Sequence, residues 1–121
     1  MRVLVCGGRD FTDTEQVADV LDGYLVGAHG ELVIIQGGAR GADQLARRWC
    51  EKHDVACVTV PARWAQDGRG AGPMRNRRML EWFPPDSVVA FPGGKGTADM
   101  IRRAVVAGVP VFDLTDMARQ P

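Results

Sequence analysis

Three pairs of glycines in this chain stand beside a cation: Gly7-Gly8 before Arg9, Gly37-Gly38 before Ala39-Arg40-Gly41, and Gly93-Gly94 before Lys95-Gly96-Thr97. Glycine leaves backbone amides open to a ligand, and open amides next to a guanidinium or ammonium group suit a phosphate. A simple reversal needs one permissive residue, so a second glycine followed by a cation favours an anion site. Each pair also closes a short apolar run, VLVC, LVIIQ or VVAFP. Such runs read as buried parallel strands, and the last two glycine turns open segments with helical patterning. A phosphate there would meet the unpaired N–H groups and the dipole of a helix N-terminus.

A second set of candidates follows residues 61–73, PARWAQDGRGAGP, which read as one long loop ending in a proline suited to a first helical turn. Arg75, Asn76 and Arg77 come directly after it and would close an anion pocket; the competing reading pairs Arg75, Arg77 and Arg78 with Glu81 on a solvated helix face. Trp64 would stack on a base or ribose, or else pack the loop onto the core, as aromatic residues more often do. Asp43 and Asp99 sit near helix N-termini, where a carboxylate is favoured by the dipole and where Arg47 and Arg103, four residues on, offer ion pairs. His29 and His53 are isolated, Ser87 lacks a nucleophile-elbow context, and Cys6, Cys50 and Cys57 have no metal spacing. Neither a triad, a metal site nor a cofactor is expected, and the cysteines read as reduced core thiols.

The elements that must position these residues are strand-like runs at 2–6, 32–36, 55–60, 87–91 and 109–112, alternating with helix-like segments. The expected fold is α/β, a Rossmann-like three-layer sandwich on a five-stranded parallel sheet. Right-handed crossovers give the order 3-2-1-4-5, which sets strands 1 and 4 side by side where the winding reverses. The turns at Gly7-Gly8-Arg9 and Gly93-Gly94-Lys95 then flank one crevice, with Gly37-Gly38-Ala39-Arg40-Gly41 as a further wall. In the second helix Ala42, Leu45, Ala46, Trp49 and His53 face inward while Asp43, Arg47 and Glu51 point elsewhere, and in the last Met100, Ile101, Ala104 and Val105 face inward, with Asp99, Arg102 and Arg103 outward. Trp49 and Trp82 read as core.

A chain of 121 residues is expected to form one domain, 1–121. Fifteen basic and fifteen acidic residues cancel, so the summed charge draws the chain neither to nucleic acid nor to a membrane, and any anion site must be local. No apolar run approaches a signal peptide or a span, and a cytoplasmic protein is expected.

Known nucleotide motifs fail at these turns: Lys95 precedes a glycine, outside a Walker A frame, and Asp99 stands where a dinucleotide fingerprint needs its third glycine. Pro92-Gly93-Gly94-Lys95-Gly96-Thr97 instead resembles the PGGxGT motif of the lysine-decarboxylase-like, "Lonely guy" phosphoribohydrolases, and QGGARGAD, residues 36 to 43, is similar to the SGxAxGID motif of DprA. With GGRDF, PAxW and AGPxRN, the pattern resembles the small YspA-like, cpYpsA-related branch of the SMF/DprA/LOG (SLOG) superfamily. The resemblance implies a pocket for a nucleotide or nucleotide-derived phosphorylated ligand. It aligns M-x-x-R-K with Met74-Arg75-Asn76-Arg77-Arg78, giving Arg77 the catalytic arginine position, but sets Met100 where the motif glutamate belongs. An enzyme would therefore need Asp99, about 100° round the helix from Met100, as its carboxylate. The leading expectation is ligand binding; the alternatives are a nucleoside 5′-monophosphate phosphoribohydrolase and, less favoured by the neutral charge, DprA-like single-stranded nucleic-acid binding. A homo-oligomer, such as a dimer, is also implied, since related domains pair through helices.

Overall fold

The computed structural model describes residues 1–116, so the last five residues of the expected domain, 117–121, lie outside them. Strands β1 (Arg2–Cys6), β2 (Val33–Gln36), β3 (Ala56–Thr59), β4 (Ser87–Ala90) and β5 (Val111–Asp113) form a parallel sheet in the order β3-β2-β1-β4-β5, as expected. Helices α1 (Thr14–Gly27), α2 (Ala42–His53), α3 (Trp64–Asp67), α4 (Ala71–Trp82) and α5 (Lys95–Val106) connect them.

The sheet is buried on both faces because each strand sends alternate side chains to opposite sides. Val3 and Val5 point with Ile34, Val89 and Phe91 toward α1 and α2, where Leu21 and Trp49 meet them. Leu4 and Cys6 point with Ile35, Val88 and Ala90 toward α4 and α5, where Met79, Met100 and Ala104 close the second layer. β1 is central, paired to β2 from Arg2↔Val33 and to β4 through Cys6↔Ala90. The β1 and β4 turns continue that adjacency: the Gly8 N–H donates to the Pro92 carbonyl at 2.9 Å.

Four expectations need correction. His53, at the end of α2, is exposed and does not face inward. Residues 61–73 are not one loop: they contain α3, a 3-10 turn at Gly68–Gly70 and the start of α4, with Pro73 in its first turn. Asp67 holds this segment down, accepting from Arg63 at 3.4 Å and from Arg78 at 2.9 Å. Trp82, the last residue of α4, is 62% exposed rather than core. Val105 is exposed too, because its neighbour Ala104 takes the sheet-facing position and one residue is about 100° of helix. Among the described residues no helix is long and apolar enough to cross a membrane.

Candidate functional site

A cavity of about 580 Å³ opens at the carboxyl ends of β1 and β4. One wall is the turn Gly7-Gly8-Arg9, the opposite wall is Gly94 with the first turn of α5, and Trp64, Arg69 and Pro73 form the third side. Arg75, Asn76 and Asp43 line it deeper down, with Cys6 and Met79 among them. This is the crevice position that strand order predicts for a doubly wound sheet.

Its charge is lopsided. Arg9, Arg69, Arg75, Lys95 and Arg102 line it against two carboxylates, Asp43 and Asp99, in a chain whose charges cancel overall. At α5 the cap residue Gly94 has no side-chain hydrogen bond to the helix start. The amides of Lys95, Gly96 and Thr97 have no intrahelical acceptor, since an α-helix leaves its first N–H groups unpaired. They and the helix dipole give the cavity a positive end. A Cβ on Gly94 or Gly96 would touch nothing within 4 Å, so protein atoms do not explain why these positions are glycine.

Other glycines answer to the protein itself. A side chain on Gly37 would collide with the Arg75 guanidinium, and one on Gly93 with Thr97 Oγ1. On Gly7 it would come within 2.5 Å of the Ala42 Cβ. Two amides expected to meet phosphate are already engaged: Gly8 N–H by Pro92, and Gly38 N–H by the Gln36 Oε1 at 2.5 Å. Gly37, Gly41 and Gly93 are absent from the cavity lining, and Gly38 and Arg40 line a separate pocket of about 260 Å³. Arg40 is also tied to Asp10 at 3.3 Å on the surface. The turn after β2 contributes Ala39 and Asp43 rather than its cation.

Arg75 and Arg77 part company. Arg75 donates from Nη1 to the Gly37 carbonyl at 2.8 Å and from Nε to Asn76 Oδ1 at 3.0 Å. Burial draws its pKa below the ordinary arginine range and Asp43 opposes that, so a charged guanidinium stands in the cavity. Arg77, expected as the catalytic arginine, lies outside the lining and pairs with Glu81 at 2.9 Å, which raises its pKa. Two residues of helix turn a side chain by about 200°, so the two arginines cannot serve one cavity.

Asn76 is buried and fully used. Its Nδ2 donates to the Gly96 carbonyl at 3.1 Å and to Asp99 Oδ2 at 3.0 Å, so α4 holds the start of α5 through this amide. Asp99 also accepts from Arg103 at 2.8 Å and Arg102 at 3.4 Å. Burial raises its pKa, but these partners outweigh it and hold the carboxyl below the usual range. Met100 is fully buried against the sheet and offers the cavity nothing. Arg102, expected to face outward, lines the cavity; its place three residues beyond Asp99 was the available signal.

Asp43 does not pair with Arg47, which instead meets Glu51 at 3.4 Å. It is buried, accepts the Ala39 N–H at 3.2 Å, and is pushed up to about 6 chiefly by burial, with Ala39 and Arg75 opposing. Folded Asp43 therefore holds a proton more tightly than the unfolded chain does. Its stabilising contribution is full below the ordinary carboxyl value of 3.8 and is lost as pH rises through about 6. We expect Asp43→Asn to flatten the fall in stability between pH 4 and 7 by about 2 kcal/mol, read from urea midpoints. An unchanged slope would show that Asp43 is ionised across that range. Asp99 acts in the opposite sense and only below that window, because its pKa is lowered.

Trp64 is 51% exposed and carries the Arg9 guanidinium over its ring, 5.4 Å from the centroid. The aromatic face therefore already receives one flat cationic group at the cavity edge. Among the described residues no cluster of His, Cys, Asp or Glu could hold a metal ion.

Comparison with known proteins gives the family and the fold. The model for the YspA, cpYpsA-related SLOG family (YAcAr) matches residues 1–66. The chain is 38% identical over 122 residues to the gene 61 protein of Mycobacterium phage D29, covering 95% of this chain and 97% of that protein. The X-ray structure of DNA processing protein A (DprA) from Streptococcus pneumoniae matches with a TM-score of 0.72 at 22% identity, over 93% of this chain and 49% of that one. The X-ray structure of TM1055 matches with a TM-score of 0.68 at 21% identity, over 91% of this chain and 71% of that one. The two structures share the fold and the phage relative extends the likeness over nearly the whole chain; by the family model this chain belongs to the YspA, cpYpsA-related SLOG family.

Proposed function

We propose that this chain binds a nucleotide or nucleotide-derived ligand, with its phosphate on the first turn of α5 and its base or ribose toward Trp64. The observation that carries this reading is the concentration of cations around open helix amides in one cavity of a neutral chain. Lys95 and Thr97 stand beside the phosphate, Arg75 neutralises it from below, and Arg9 passes from the Trp64 ring to the ligand. Asn76 acts on the ligand indirectly, by fixing the Gly96 carbonyl and Asp99. Cations gathered in a cavity rather than along a surface stripe favour a small ligand over a nucleic-acid strand.

The geometry favours binding over N-glycosidic hydrolysis. Met100 is buried, Arg77 points elsewhere, and Asp99 is engaged by three neighbours. Native mass spectrometry with nucleoside monophosphates and ADP-ribose is expected to show intact adducts and no free base. Accumulating free base with ribose 5-phosphate would overturn the binding-only reading, and a complete lack of adducts would overturn the site.

Gly96→Ala separates ligand contact from folding. A Cβ there meets no protein atom, and alanine in a helix turn is favoured over glycine by roughly 0.5–1 kcal/mol, so the melting temperature should hold or rise slightly. Affinity for a phosphorylated ligand should nonetheless fall about tenfold, because the methyl group occupies the space beside the amides. Equal affinity in isothermal titration would move the phosphate away from α5.

We also propose that the chain self-associates. Trp82 and Val106 are left exposed near the ends of α4 and α5, two helices on the same face of the sheet. Light scattering after size exclusion is expected to report a dimer, and Trp82→Ser with Val106→Asp a monomer; a monomeric native chain would refute this.

A further inference from the structure

Away from the ligand cavity, two thiols share a second pocket. Cys50 lies in the last turns of α2 and is buried, whereas Cys57, on the edge strand β3, is half-buried. Both line a surface cavity of about 520 Å³ together with Arg47, Glu51, Asp54 and Thr59. The two thiols meet in that pocket, and the Cys57 sulfur accepts from Gln36 Nε2 at 3.6 Å. Gln36 is itself held by Thr59 Oγ1 at 2.6 Å and by the Gly38 N–H, so its amide is fixed in this direction.

Those contacts differentiate the two sulfurs. Hydrogen bonding from Cys50 holds the Cys57 thiol below the ordinary cysteine range; burial opposes this, and Gln36 and Arg47 add to it. The same contact pushes Cys50 up, with burial and Glu51 acting in the same direction. A half-buried thiol drawn toward its thiolate form, beside a buried thiol held toward its protonated form, is the arrangement of an attacking and a resolving cysteine.

We propose that Cys57 and Cys50 form a hydroperoxide-reactive dithiol. The Cys57 thiolate attacks one peroxide oxygen, breaking the O–O bond to leave a sulfenic acid and hydroxide. The Cys50 sulfur then attacks the Cys57 sulfur and forms an intramolecular disulfide. The sulfenic oxygen leaves as water with the Cys50 proton. The hydroxide takes up the proton that Cys57 released on ionising, so the two thiols lose two electrons and hydrogen peroxide, the co-reactant, is reduced to two waters.

Cys6 is the internal reference, because burial pushes its thiol up to about 12 and it belongs to another part of the fold. Native protein would be treated with stoichiometric hydrogen peroxide, alkylated and mapped by mass spectrometry before and after reduction. The expected product has lost two hydrogens, carries a Cys50–Cys57 cross-link and leaves Cys6 free. Before oxidation, Cys57 should alkylate about tenfold faster than Cys6. Cys57→Ser should abolish the product, and Cys50→Ala should leave a dimedone-trappable sulfenic acid on Cys57. A melting curve checks that the buried Cys50 variant is folded, and mapping of the native chain stands without either variant. Equal reactivity of all three thiols, or a cross-link through Cys6 or between two chains, would overturn the proposal.

Discussion

Gly41→Ala is expected to lower the melting temperature by about 10 °C or more. Gly41 caps α2 with φ of +81° and ψ of −129°, a backbone conformation open essentially to glycine alone. An added Cβ would also strike the Gly8 carbonyl oxygen and lie 2.6 Å from the backbone carbonyl of Arg9. That Gly8 oxygen is already committed, accepting from Ala42 N–H at 3.1 Å and Phe11 N–H at 3.3 Å. Neither obstacle is the end of a flexible side chain, so the turns after β1 and β2 must separate. Backbone strain and overpacking each cost about 1–3 kcal/mol, and a chain of this size loses roughly 3–6 °C per kcal/mol. A circular-dichroism melt within 2 °C of the parent would show that these turns yield easily. The contrast with Gly96 is direct: two glycines in equally suggestive motifs, one demanded by the fold and one free of it.

Arg75→Met should have the largest effect on ligand binding. It removes the deepest cation of the cavity, whose guanidinium donates to Gly37 and Asn76 and faces Asp43. A charge-assisted hydrogen bond to phosphate contributes about 1.5–3 kcal/mol, so affinity for a phosphorylated ligand such as ADP-ribose should fall roughly 10- to 150-fold in titration calorimetry. Arg75→Lys should recover only part of this, because an ammonium cannot reproduce the planar fork that rests on Gly37. Arg77→Met is the control: its side chain pairs with Glu81 outside the cavity and should change affinity less than about twofold. The reverse result would mean that the aligned motif arginine, not the cavity arginine, holds the ligand. Both variants need a melting curve, since Arg75→Met also leaves the Gly37 carbonyl without its guanidinium donor.

Much of this is legible in the residues alone. The Val/Ile runs that end in glycine are strands because a parallel strand must be apolar on both faces, and Val3, Leu4, Val5 and Cys6 do divide between the two layers. Their number and right-handed crossovers favour the order that the sheet has, and that order places the crevice beside the β1 and β4 turns. Membership of Arg9, Gly94, Lys95, Gly96 and Thr97 in the cavity followed from that alone.

What the sequence by itself determined, then, was the sheet, its order and the crevice, since all three follow from periodicity and chain connectivity. What only the tertiary structure decided was which face of each element meets which neighbour. Asp43 and Arg47 are spaced for an ion pair, yet Asp43 is turned into the cavity while Arg47 finds Glu51, because α2 is rotated by its contacts with β1, not by its own helical spacing. Arg75 and Arg77 look equivalent in a motif, but only one can point between α4 and the sheet. Glycine carries no side chain to announce its purpose, so Gly41 under a carbonyl and Gly96 beside open space differ only once the rest of the chain is in place.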